Sequence, residues 1–214
     1  MSKPLADGSD NAGHEAPKSR SVRADAQRNI NALLEAALAV FATSGVEAPV
    51  REIADKAGVG VATLYRHFPQ RSDLVVAVFR HQVDACANAA KVLAAEHAPG
   101  EALALWMQRY ADFIATKRGL ATALHSGDSA FATLPTYFNK QLQPALRALL
   151  DTAAGAGEVR TDIGPDDLLR AISSLCMSGH DSQADYTRRM VALLVDGLRV
   201  TAKPAGMPSK PLQK

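Results

Sequence analysis

Val50-Arg51-Glu52-Ile53-Ala54-Asp55-Lys56-Ala57-Gly58-Val59-Gly60-Val61-Ala62-Thr63-Leu64-Tyr65-Arg66-His67-Phe68 is the run that decides the fold. Val50, Ile53, Ala54 and Ala57 recur at the spacing of one helical face, which predicts a short helix over 50–57. Gly58 breaks it and can take the positive φ that a sharp turn demands. A second short helix follows over 61–68, stopped by Pro69, which pushes the residue before it out of the helical region. Small Ala54 and Ala57 let the two helices cross closely, and Val59 and Leu64 plug the space between them. Two short helices about a glycine turn have the spacing of a helix-turn-helix. The outer side of the second helix carries Gly60, Val61, Ala62, Thr63, Tyr65, Arg66 and His67. Hydroxyls, an imidazole and a guanidinium on a short exposed helix suit phosphate oxygens and base edges.

The flanking sequence is helical throughout. Over 25–44, Ile30, Leu34, Ala37 and Phe41 share a face, with Leu33 and Val40 beside it. Gly45 ends that helix as a C-cap, and Pro49 suits the first turn of the next. Beyond Pro69, helices are expected over 70–95 and 100–117, with shorter pieces over 119–125 and 129–139. Another is expected over 140–154, closed by Gly155-Ala156-Gly157. Gly164-Pro165-Asp166-Asp167 opens a helix reaching 178, since proline and acids both favour a helix N-terminus. The last helix is expected over 182–202. No period-two run argues for a strand. The expected fold is all-α, with a three-helix helix-turn-helix domain over 23–69 and a larger helical domain over 70–202. Residues 1–22 read as a disordered arm and 203–214 as a flexible tail, from their polar and proline-rich composition.

Composition sets bounds on function. The formal net charge of +2 excludes a chain that binds nucleic acid by bulk charge alone. Charge is uneven, however: residues 17–71 hold eight Lys/Arg against five Asp/Glu, a local balance of +3 where the motif lies. Cys86 and Cys176 are too few and too far apart for a disulfide framework or a zinc site, and they fit a reducing cytoplasm. His81, His97, His125 and His180 lack paired metal-ligand spacing. No cofactor motif, secretory signal or membrane span is expected.

Residues 28–79 resemble the DNA-binding domain of the TetR family of bacterial regulators. The resemblance rests on Leu33-Leu34-Glu35-Ala36-Ala37 with Phe41 and Gly45, and on Arg51-Glu52-Ile53-Ala54 with Ala57-Gly58-Val59. It continues in Thr63-Leu64-Tyr65-Arg66-His67-Phe68, then Arg71 and Leu74. The remainder of the chain is similar in pattern to the SbtR-like branch. The resemblance implies a third helix lying in the DNA major groove. Val61, Ala62 and Thr63 would then lie near base edges, Tyr65 and His67 near phosphates, and Arg66 at either. Arg71 and Arg28 would be backbone contacts. One departure stands out: Ala48-Pro49 occupies the place where many members carry a Thr or Ser that caps the second helix and touches phosphate. Leu64 and Phe68 read as core.

The same resemblance implies a homodimer, with the last two helices of each chain forming a four-helix bundle. Leu168, Ile172, Leu175 and Cys176 line one side of the penultimate helix; Tyr186, Met190, Leu193, Leu194, Gly197 and Leu198 do so on the last. It also implies a small-molecule effector held among the middle helices, where Trp106, Met107, Tyr110, Phe113, His125 and Tyr137 stand with Leu124, Phe131 and Phe138. Aromatics at helical spacing serve equally as plain core. The expected function is an operator-binding regulator, a repressor released by its effector. An activator would use the same reading head. A helical sensor or adaptor without DNA binding competes, and the exposed Thr63, Tyr65, Arg66 and Arg71 weigh against it. An enzyme would need a nucleophile–base pair or metal set, and none stands out.

Overall fold

In the computed structural model, which describes residues 17–116, 120, 124, 126–177 and 184–200, every regular element is helical. The order is α1 (Pro17–Ser44), α2 (Val50–Ala57), α3 (Val61–His67), α4 (Arg71–Glu96) and α5 (Pro99–Thr116). A 3-10 turn (Ser129–Phe131), α6 (Leu134–Gly155), α7 (Pro165–Met177) and α8 (Ala184–Leu198) follow. One antiparallel bridge, Val159 to Arg199, is the only β pairing among the described residues. None of the described helices is long and apolar enough to cross a membrane.

Most boundaries fall where periodicity and capping place them, and the exceptions have physical causes. α1 starts at Pro17 rather than at 25. Pro17 suits a first helical position, and the residues after it contain no glycine. They also lack an apolar face, which is what a periodicity reading detects. The first sixteen residues of the expected arm lie outside the described residues, as do 201–214 and most of the piece expected over 119–125. The expected break between 139 and 140 is absent: α6 runs unbroken to Gly155, through Pro144. Its buried residues Leu134, Leu142, Leu146, Leu149 and Ala153 follow one helical face across that point. Burying this face against α4 and α5 outweighs the hydrogen bond that proline cannot donate. α8 stops at Leu198 because the chain then turns to pair with the segment after α6. Arg160 N donates to the Leu198 carbonyl at 2.8 Å, and Val200 N to that of Glu158 at 3.0 Å.

One continuous core extends from Leu33 to Leu198. α4 packs on α1, α5 and α6, while α5 packs on α6, α7 and α8. Where these helices meet, Trp106, Met107 and Tyr110 are completely buried. The Trp106 and Tyr110 rings lie parallel, 5.6 Å apart. Their polar tips are satisfied, as burial requires. Trp106 Nε1 donates to the Cys86 carbonyl at 2.9 Å. The Tyr110 hydroxyl donates to the Leu169 carbonyl at 3.3 Å and lies 2.8 Å from Ser173 Oγ. Both cysteines are buried, and neither forms a disulfide. Burial pushes the Cys86 thiol up to about 12, and Cys176 Sγ donates to the Ala111 carbonyl at 3.7 Å.

This centre makes a graded prediction. Trp106→Ala should lower unfolding free energy by about 3–5 kcal/mol through the cavity it leaves. Trp106→Phe keeps most of the packing and gives up only the second hydrogen bond to the Cys86 carbonyl, for a loss of about 0.5–1.5 kcal/mol. Urea unfolding followed by circular dichroism checks both, and equal losses would contradict the assignment.

Candidate nucleic-acid interface

The reading surface is set by two glycines. Gly45 takes φ +76° after α1, and its N–H bonds the Phe41 carbonyl at 3.1 Å. Gly58 takes φ +68° after α2, and Val59 N then reaches back to the Ala54 carbonyl at 3.0 Å. This left-handed closure turns the chain sharply, so α3 starts at once from extended Gly60. The Gly60 carbonyl receives Thr63 N at 2.9 Å and Leu64 N at 3.2 Å. Leu64, expected with Val59 to plug the space between the helices, is buried together with Ile53 and Ala54. Val59 and Phe68 are half-buried against the same core.

The opposite side of α3 faces outward. Tyr65 is 49% exposed. Ala62, Arg66 and His67 are exposed, and Val61 and Thr63 are half-buried. Arg28 is exposed on α1. Arg71 is placed differently from a free phosphate contact: it is half-buried and donates from Nη1 to the Val46 carbonyl, tying the start of α4 to the α1–α2 loop. Beside it, Gln70 and Asp73 form a reciprocal capping box, with Gln70 N donating to Asp73 Oδ2 at 3.0 Å. Local sequence does not announce this box, because the usual pattern has Ser or Thr at the cap and Glu or Gln three residues on.

Sequence reading missed the junction that carries the head. Glu35 on α1 sits 2.9 Å from His81 Nε2 and accepts from Gln82 Nε2 at 3.4 Å. One residue earlier on α4, the Arg80 guanidinium lies 5.0 Å from the centre of the Tyr137 ring and donates to Thr133 Oγ1 at 3.4 Å. The Tyr137 hydroxyl donates to Asp84 Oδ1 at 2.6 Å. Burial, reinforced by this hydrogen bond and the Asp84 charge, pushes that hydroxyl up to about 12. Local pattern gives no signal for such pairs, because their partners are 46 to 53 residues away.

The residues expected around an effector are thus split. Trp106, Met107 and Tyr110 form the core centre, and Phe113 is buried 6.4 Å from Phe79 and 6.1 Å from Phe138. Tyr137 belongs to the α4–α6 junction, and His125 lies outside the described residues. A groove of about 260 Å³ opens nearby, lined by Phe79, Leu124, Phe131, Leu134, Pro135, Phe138 and Asn139. The residues expected at a dimer interface also divide. Leu168, Ile172 and Leu198 are buried within the chain, because the inner sides of α7 and α8 pack on α5. Leu175, Met190 and Leu194 are half-buried, Gly197 is exposed, and Tyr186 and Leu193 are 41% and 64% exposed. Except for Ile172 and Tyr186, these residues line an apolar groove of about 480 Å³.

The chain is similar to a TetR transcriptional regulator of known structure from Streptomyces coelicolor. Identity is 38%, with 80% of this chain and 99% of that one covered, and the TM-score is 0.72. The chain belongs to the TetR family. It is a DNA-binding transcription regulator. A TetR transcription regulatory protein from Mycobacterium vanbaalenii agrees, with 37% identity, 84% and 99% coverage and a TM-score of 0.64. The model of bacterial regulatory proteins of the tetR family matches residues 33–78, and that of the SbtR-like C-terminal domain matches 98–200. An HTH-type transcriptional regulator of Staphylococcus aureus is 26% identical over 155 residues, covering 72% of this chain and 82% of that protein. These relatives are transcription regulators.

Two outcomes follow from this geometry. A Cβ at Gly58 would meet nothing within 4 Å, so Gly58→Ala is penalised by its backbone conformation alone. The expected loss is about 1–2 kcal/mol, with Gly58→Asn milder, as measured by thermal unfolding. The raised Tyr137 value means that the folded state holds this proton more tightly than the unfolded chain does. Its stabilisation is complete below pH 10 and lost as pH climbs towards 12. Unfolding titrations across that window should decline less steeply in Tyr137→Phe than in the unaltered protein.

Proposed function

We propose that this regulator is a homodimeric repressor that occupies an operator through α3 and is released by a small-molecule effector. The observation that carries the reading is the two-sided character of α3: Leu64 is locked into the core while Ala62, Tyr65, Arg66 and His67 face outward. In the major groove, Val61, Ala62 and Thr63 approach base edges, and the small apolar pair suits a thymine methyl. Tyr65 and His67 bind phosphate, and Arg66 and Arg28 add charge. Arg71 holds the α1–α2 loop and offers its remaining donors to the backbone.

A second copy supplies the contacts that one seven-residue helix cannot. The apolar face around Tyr186, Met190, Leu193 and Leu194 supports pairing through α7 and α8, which would set two α3 helices ~34–36 Å apart. Release by an effector is supported by α4, a long helix that packs on both α1 and the helices behind it. A ligand preferring a tilted α4 shifts the population away from the DNA-competent state by its differential affinity. The reading places the protein with the chromosome in the cytoplasm.

Fluorescence titration against DNA flanking the gene, at two salt concentrations and with unrelated DNA alongside, tests the reading. Tight, selective binding should fall by about 1–3 kcal/mol per contact removed in Tyr65→Ala and His67→Ala, and the salt slope, which counts cationic phosphate contacts, should become shallower in Arg66→Ala. Unchanged affinity in the double variant, or a monomer at binding concentrations, would refute it.

A further inference from the structure

We propose that the groove between the C-terminal half of α4 and the middle of α6 is a binding site for a small anionic amphiphile. The groove has a volume of about 360 Å³, within the range of small-molecule sites (~300–1,000 Å³). Its floor is apolar and narrow, with Ala90 and Leu149 buried and Ala145 half-buried beneath it. Two cations, Lys91 on α4 and Lys140 on α6, are the charged groups in its lining, and no acid lines it. Neither lysine has an ion pair among the described residues. Lysines at the edge of an apolar slot normally bury their stems and leave the ammonium in water. Here two stems from different helices flank the same slot, so one anionic head answers both charges while the floor covers an apolar tail. Asn88 and Gln141 add side-chain amides to the lining, which donate to the same kind of head. Proline at 144 removes the donor that would otherwise bond the Lys140 carbonyl, which leaves the α6 wall more yielding at this point.

The site gives the effector-release reading a ligand class and rests on that reading for its regulatory meaning. α4 lines the groove with one half and holds the head with the other, through Arg71 and the His81–Glu35 contact. An occupant between α4 and α6 therefore acts on the helix that positions α3.

Decanoate and decanol share an apolar chain and differ in charge, so they serve as probes. Calorimetric titration of the full chain at neutral pH, without DNA, should give saturable decanoate binding about tenfold tighter than decanol binding. Two exposed charge contacts, each worth about a threefold gain, amount to that factor. Lys91→Gln/Lys140→Gln should erase the preference and leave decanol binding unchanged. Ala148→Trp, at an exposed position on the rim, should weaken both ligands. Equal binding of the two probes, a preference that survives the double glutamine variant, indifference to Ala148→Trp, or no saturable decanoate binding would each overturn the site. Circular dichroism melting shows that the variants are folded. A protein that binds decanoate with this preference yet keeps its operator affinity would sustain the site and overturn effector release, so the two failures are distinguishable.

Discussion

The architecture depends on α4 being buried by two sets of partners at once. From Leu74 through Ala90, its apolar residues join the same core as α1 on one side and α5 and α6 on the other. A helix that loses only one partner still exposes apolar surface at ~25 cal/mol per Å², so the head and the rest cannot move independently. Across residues 80–84, polar side chains pin α4 in both directions: His81 and Gln82 to Glu35, Arg80 and Asp84 to Tyr137. Half-exposed contacts of this kind contribute little stability individually. Their directionality is what matters: burial holds α4 in place, and these contacts hold its rotation.

The reading head is economical for the same reason. α2 and α3 have eight and seven residues, too short to be stable as isolated helices. They persist because Ile53, Ala54 and Leu64 are buried and because Gly45 and Gly58 close the chain at low strain. The outward face of α3 has no part in that burial. It is free to carry whatever side chains the DNA demands, and Arg71, set back from it, maintains the loop that orients it.

Behind the head, the large aromatic side chains act as structure. Trp106 and Tyr110 stack, bond backbone carbonyls and are completely shielded from solvent. Two grooves lie at helix seams: among alanines between α4 and α6, and among leucines beside Gly197 between α7 and α8. The Trp106–Tyr110 stack marks where the bundle is solid, whereas Phe79, Phe131 and Phe138 border a groove of their own.

Local chemistry suffices for much of this protein. Apolar spacing, glycine breaks and proline starts locate α2, α3, α4, α5 and α7 to within about two residues, and the alternation of buried and outward residues on α3 follows from the same pattern, because each of these signals acts within one or two turns. Where the cause lies far along the chain, local pattern is silent. The continuity of α6 through Pro144 rewards burial against α4 and α5; Arg71 turns inward to a carbonyl 25 residues back; Tyr137 meets Asp84 53 residues away. The apolar sides of α7 and α8 look uniform in sequence, yet Leu168, Ile172 and Leu198 face the chain's own core while Tyr186 and Leu193 do not. Only the packing of helices distant in sequence separates those roles, since a hydrophobic side chain carries no record of which neighbour will cover it.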